Sequence, residues 1–178
     1  MTDSVADVNQ WWAREIRRLD RAEAVEVDLF VRSLAPAFGV RRYQRQVYER
    51  LRALERDGVL AAVSLHVWGE AACTEGPLAE TTACKRVRSR VDRFRDWAAA
   101  HDVRVELPFS ERTVESRVID ETYCDLVLPE LCAAVRVDDT LALVVPCHVD
   151  GHPIGVEDVL AVLEGVEPTA LDPLPERR

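Results

Sequence analysis

The chain has 178 residues, 48% of them hydrophobic and 31% charged, with a formal net charge of −9. That length suits one domain burying most of the surface its unfolded chain exposes, and the composition excludes a disordered chain, which pairs high charge with few large apolar residues. No apolar run approaches the roughly 20 residues that cross a bilayer, the first residues lack the basic and apolar stretches of a secretory signal, and five cysteines, an odd count, point to free thiols in a reducing, cytoplasmic setting.

From Ser4 to Leu19 the apolar residues Val5, Val8, Trp12, Ile16 and Leu19 recur at steps of three and four, with Ser4 or Asp3 as N-cap. This predicts one amphipathic helix, over 4–19, at the domain's periphery. The adjacent indoles of Trp11 and Trp12 cannot both point at one neighbour, so one is a candidate partner-binding ring; the alternative folds both over the core. Residues 24–34 alternate, Val25, Val27, Leu29 and Val31 against Glu26, Asp28, Phe30 and Arg32, and read as a half-buried strand that Pro36 stops. Val40, Tyr43, Val47, Leu51 and Leu54 return to the helical step until Asp57-Gly58, and Val59 to Trp68 is extended again with Val63, Leu65 and Val67 on one side. Strand, helix and strand in this order predict a right-handed crossover with the two strands parallel in one sheet.

Glu70 to Pro77 reads as a loop, and Leu78 to Ala100 as a long helix with Val87, Val91, Phe94 and Ala98 as its seam. Val103 to Leu107 alternates as a strand, while Phe109 to Asp120 is too sparse in apolar residues to assign. Tyr123 to Leu128, Leu131 to Val137 and Leu141 to Pro146 are strand-like, the last two joined through Asp138-Asp139-Thr140 as a hairpin. Val156, Val159, Leu160 and Leu163 mark a short final helix. The expected fold is a single α/β domain over 1–166, a mixed sheet with a β-α-β crossover, a C-terminal hairpin and packed helices, followed by a flexible tail over 167–178.

The charge is unevenly placed. Lys85 is the only lysine among 23 basic residues, a usage that fits a halophilic chain whose acidic surface is a solvation adaptation, so the net charge does not exclude DNA. Arg41, Arg45, Arg52 and Arg56, with Arg42 beside them, form a basic face on the first long helix, and Arg86, Arg90 and Arg93 a stripe on the second. From Asp120 onward acidic residues dominate. Arginine suits phosphates and guanine edges alike, so these eight residues are candidate nucleic-acid contacts; the alternative is a solvated face paired with carboxylates.

Catalytic signals are absent. No glycine-rich phosphate loop, dinucleotide fingerprint or nucleophile elbow occurs, no cofactor is implied, and the chain reads as non-enzymatic. Cys147, His148 and His152 are weak candidate metal ligands, with Cys124 and Cys132 near them across a sheet; Gly151 and Pro153 exclude the helix that would make the histidines converge, and buried thiols are the favoured reading. His66, beside Val67-Trp68, reads as a hydrogen-bonded core or edge residue.

The runs Glu49-Arg50-Leu51-Arg52-Ala53-Leu54-Glu55-Arg56-Asp57-Gly58, Ser64-Leu65-His66-Val67-Trp68-Gly69, Arg112-Thr113-Val114-Glu115-Ser116 and Leu126-Val127-Leu128-Pro129 with Cys132-Ala133 resemble a family of small haloarchaeal proteins labelled helix-turn-helix domain proteins. The likeness extends from about Val25 to Leu163 and implies a role in transcription. A helix-turn-helix needs two helices crossing after a short turn, whereas the helix ending at Gly58 has strands on both sides, so a pure three-helix unit is not expected. The resulting expectation is a homodimeric, DNA-associated regulator; the competing one is a protein-interaction or small-ligand-sensing module that does not bind DNA.

Overall fold

The elements run in the order α1 (Asp3–Asp20), β1 (Val25–Val31), α2 (Phe38–Arg56), β2 (Ala62–Val67), β3 (Ala71–Cys73), a 3-10 turn (Pro77–Glu80), α3 (Thr82–Ala99), β4 (Val105–Glu106), β5 (Ser110–Ser116), β6 (Glu121–Val127), β7 (Leu131–Val137), β8 (Thr140–Val145), β9 (Cys147–Val149), β10 (His152–Ile154) and α4 (Val156–Leu163). The structure is a computed structural model and describes residues 3–35, 38–116 and 121–166. The expected tail over 167–178 lies outside these residues.

The alternating segment becomes β1, and the crossover through α2 lays β2 parallel to it, from Glu26 opposite Ala62 to Val31 opposite Val67. Gly58 ends α2 at φ 78°, the left-handed conformation that lets the chain turn into β2. On its other side β1 pairs antiparallel with β7, and β7 with β8, giving the mixed order β2-β1-β7-β8. The hairpin between β7 and β8 turns at Asp138 and Asp139, whose φ of 48° and 66° are those of a type I′ turn. Asp138 also accepts the amides of Glu23 and Ala24, tying this turn to the start of β1. Two antiparallel three-stranded sheets, β10-β9-β4 and β3-β6-β5, complete the strands.

β1 lies between two layers, so both of its faces are covered. Phe30, on the side the alternation assigned as polar, is buried at 1% exposure and meets Phe94 of α3 edge-on, with ring centroids 5.8 Å apart. Its neighbour Val31 points the other way and, with Leu65, lies beside Gln44 and Tyr48 of α2. The helices α2 and α3 therefore cover opposite faces of the sheet. The buried seam of α2 is Gln44, Val47, Leu51 and Leu54; Tyr43, expected in it, is 39% exposed. Trp97 joins Val91, Phe94 and Ala98 in the seam of α3, and its indole donates to the Ala142 carbonyl at 3.0 Å.

Other expectations are corrected. The Val63, Leu65 and Val67 side of β2 is only partly covered: Val63 packs against the core, but β2 ends its sheet, and Leu65 and Val67 stand 37% and 55% exposed. The loop from Glu70 to Pro77 contains β3, which three paired residues of β6 hold in place. The long helix starts at Thr82 rather than Leu78, because Pro77 opens a separate 3-10 turn and the Thr81 side chain caps α3 by accepting the Cys84 amide. The unassigned segment after Phe109 forms β5, which pairs antiparallel along the length of β6; residues 117–120 are outside the description.

Helix α1 is not peripheral. Val8, Trp11 and Trp12 are buried at 0%, 1% and 4% exposure, and Trp11 donates to His101 Nδ1 at 3.2 Å. The proposed partner-binding ring is thereby corrected: the two indoles lie stacked, 6.2 Å apart, and neither is left at the surface. Their helix also carries a buried carboxylate. Burial pushes the Glu15 carboxyl above its ordinary 4.5, with Arg18 and then Arg14 opposing. Between 4.5 and that raised value the folded chain binds more protons than the unfolded one, so stability falls as pH rises through the window. Glu15→Gln is expected to raise the urea midpoint at neutral pH, with the advantage shrinking as pH falls to 4.5; an advantage that does not depend on pH would mean the carboxylate's charge is not its cause.

Candidate nucleic-acid interface

The first half of α3 faces the free edge of β2 across an open groove of about 790 Å³. Lys85, Arg86, Arg90 and Arg93 line one wall, spaced so that successive turns of the helix present them to the same side. Leu65, His66, Val67 and Trp68 line the other, and among the described residues no carboxylate lines the groove. No acidic residue occupies the first turn of α3 either, so the positive end of its macrodipole adds to Lys85 and Arg86.

Beneath the groove is a stack of rings. Phe30 lies against His66 at 4.8 Å and Trp68 at 4.9 Å, both near parallel, and the Arg90 guanidinium carbon sits 4.7 Å above the Phe30 centroid. The cation is held by the ring's quadrupole. Burial pulls the Arg90 pKa down, Asp28 opposes this, and Arg93 adds to it. Asp28 is occupied by its own partners, with Oδ1 3.0 Å from His66 Nε2 and Oδ2 3.3 Å from Arg136 Nε. Lys85 pairs with Glu80 at 2.8 Å, whereas Arg86 and Arg93 have no ion-pair partner among the described residues. Of the predicted stripe, then, Arg86 and Arg93 are free at the surface and Arg90 is anchored.

The arginines of α2 lie on the opposite face of the sheet. Arg45 is paired with Glu49 at 2.7 Å, and Arg52 with Glu55. Arg56 ends the helix, where its charge complements the dipole. Arg41 and Arg42 are exposed, with no ion-pair partner among the described residues. Arg41 and Arg45 line a smaller groove of about 220 Å³ that reaches Leu65 from the α2 side. The two sets of arginines therefore do not share one face: they approach one sheet edge from opposite sides, and the two grooves have Leu65 in common. Arg50 bridges Glu157 at 2.5 Å and Glu164 at 2.7 Å, and Arg88 donates to the Thr74 and Ala79 carbonyls, so both are structural ties.

The weak metal set does not converge. In the β9–β10 ladder Cys147 and His152 point inward, while His148 points out and is exposed. Burial, then Asp158, pushes the Cys147 thiol up to about 12, and burial likewise raises Cys132. Such thiols stay protonated and are poor nucleophiles or ligands. Among the described residues no group of three His, Cys, Asp or Glu side chains is arranged to hold a metal. What sequence reasoning missed was the part played by His66 and Trp68; their signal was the even-numbered spacing from a buried Phe30 partner, invisible until β1 and β2 are put in register.

A family model described as a helix-turn-helix domain matches residues 19–168. No curated protein and no solved structure matches the chain. Among the described residues no two α-helices follow one another without a strand between them, so the architecture is mixed α+β and not a helical bundle. No helix among them is long and apolar enough to cross a membrane.

Proposed function

The chain belongs to this helix-turn-helix domain family, and from that membership we propose that it is a non-catalytic, cytoplasmic regulator that contacts DNA phosphates through the groove between α3 and β2. The observation that carries the reading is a groove lined by four cations and, among the described residues, no carboxylate, on a chain whose net charge is −9. An acidic protein that keeps carboxylates out of one groove has concentrated positive potential where an anion docks. Arg86 and Arg93 supply planar, permanently charged forks for phosphate oxygens, and Lys85 a point charge near the helix N-terminus. The α2 arginines serve at most as secondary contacts, since they lie on the other face of the sheet and none of them lines this groove.

Titrating a fluorescent duplex with the protein over a series of salt concentrations tests this. The expected result is binding that weakens linearly with the logarithm of salt, the mark of counterion release. Absence of binding at low salt removes the reading and leaves the groove, which has the volume of a ligand pocket, to a small anionic effector.

A homodimer formed through β2 belongs to the same proposal. This strand is paired on one side only and carries neither charge nor proline, the usual guards of an exposed edge, while Leu65 and Val67 stand exposed on it. Antiparallel pairing with a second copy about a twofold axis normal to the sheet keeps both α3 helices on one face, so that two grooves meet one duplex. Val67→Lys is expected to convert a dimer into a monomer in light scattering; a dimer of unchanged strength would place the interface elsewhere.

A further inference from the structure

Cys73 and Cys84 stand apart from the cationic groove but close to its start. Cys73 ends β3 opposite Asp125 in the β3–β6 ladder, and Asp125 in turn lies 3.7 Å from Arg112 of β5. Cys84 is in the first turn of α3, its amide donating to Thr81 Oγ1 at 3.3 Å. Arg88 fastens this end of α3 to the chain leaving β3, donating to the Thr74 carbonyl at 3.2 Å and the Ala79 carbonyl at 2.8 Å. Arg88 lies one helical turn after Cys84 and Thr74 directly follows Cys73, so this fastening sets the two cysteines beside one another where α3 begins and β3 ends. Both residues are half-buried and reachable by a small oxidant, whereas Cys132 and Cys147 are fully buried.

The geometry points to a redox modification site: Cys73 and Cys84 join in a reversible disulfide when hydrogen peroxide oxidises the protein. Peroxide transfers one oxygen to the Cys84 sulfur, leaving a sulfenic acid and releasing water. The Cys73 sulfur then attacks that sulfur, the S–O bond breaks, and the hydroxyl leaves with the Cys73 proton as a second water. A small dithiol reverses the step and is itself oxidised to a disulfide. Burial, then Asp125, holds the Cys73 thiol above its ordinary range, keeping it protonated until the sulfenic acid is beside it.

The bond would tie the end of β3 to the helical turn just before Lys85 and Arg86. Its consequence for DNA rests on the function proposed above; its formation does not. The experiment treats the full chain with peroxide, alkylates the remaining thiols, cleaves after glutamate and weighs the fragments, since Glu75 and Glu80 separate the two cysteines. Alkylatable thiols are expected to fall from five to three, with the Cys73 and Cys84 fragments linked until reduced. Cys73→Ser and Cys84→Ser each abolish the link, and Cys124→Ser leaves it. Linkage of another pair, five thiols remaining free, or Cys84 over-oxidised beside an unlinked Cys73 overturns the site. A disulfide that forms in a protein binding no DNA in either redox state supports the site while removing the proposed function.

Discussion

A chain carrying Arg86→Gln and Arg93→Gln is expected to bind a DNA duplex with about half the parent's salt dependence. The exposed Lys85–Glu80 pair is weak enough to exchange for a phosphate, so contacts from Lys85, Arg86, Arg90 and Arg93 give a slope of about −3.6 in log affinity against log salt, and two contacts give about −1.8. Over a fourfold rise in salt the parent then loses roughly 150-fold in affinity and the variant only about 12-fold. Arg86→Glu with Arg93→Glu goes further, because two like charges now face the phosphates. Neither substitution breaks an ion pair of the fold, so thermal stability serves as the control and is expected to hold. The matching pair on the other face, Arg41→Gln with Arg45→Gln, is expected to leave the slope nearly unchanged. If the α2 pair flattens the slope and the α3 pair does not, the interface has been assigned to the wrong side of the sheet.

Phe30→Ala is expected to cost about 3–5 kcal/mol, the usual range for deleting a fully buried aromatic side chain. Against a domain stability of roughly 5–15 kcal/mol this is a large share. The ring touches His66, Trp68 and Phe94 and carries the Arg90 guanidinium, so its loss opens a cavity and unseats one groove cation together. Urea unfolding followed by tryptophan fluorescence reads the first effect and the duplex titration the second. Phe30→Leu keeps much of the volume but no ring face for Arg90, and is expected to recover stability more than binding. Leu34→Ala, at a side chain 67% exposed, is the comparison and is expected to fall within about 0.5 kcal/mol of the parent. Equal losses at Phe30 and Leu34 would show that the ring stack is not the keystone described.

Strand-helix-strand order, the parallel pairing of β1 with β2, the Asp138-Asp139 hairpin and the short α4 were all legible from residue periods and turn residues, because those signals are local. The failures share a cause. Periodicity reports which side of a segment is apolar and not what lies opposite it. Phe30 was placed with Glu26 and Asp28 by alternation, yet α3 covers that side; Leu65 and Val67 were grouped with Val63 on one apolar side, yet β2 ends the sheet and leaves those two exposed. For Trp11 and Trp12 the sequence left two readings, one ring for a partner because neighbouring helical residues diverge or both over the core, and the second holds: both are buried, stacked side by side with His101 beside Trp11.

The candidate site divides in the same way. Composition and spacing by themselves determined that positive charge is carried on two arginine-bearing helices of an otherwise acidic chain. Only the tertiary structure decided that the helices take opposite faces, that Arg45 and Arg52 are already neutralised, and that Arg86 and Arg93 remain free beside an open strand edge. Charge along a chain is fixed by covalent order. Whether a given charge is spent on a neighbouring carboxylate or left for a ligand is fixed by which side chains lie within a few ångströms, and the crossover and the sheet's end set that distance.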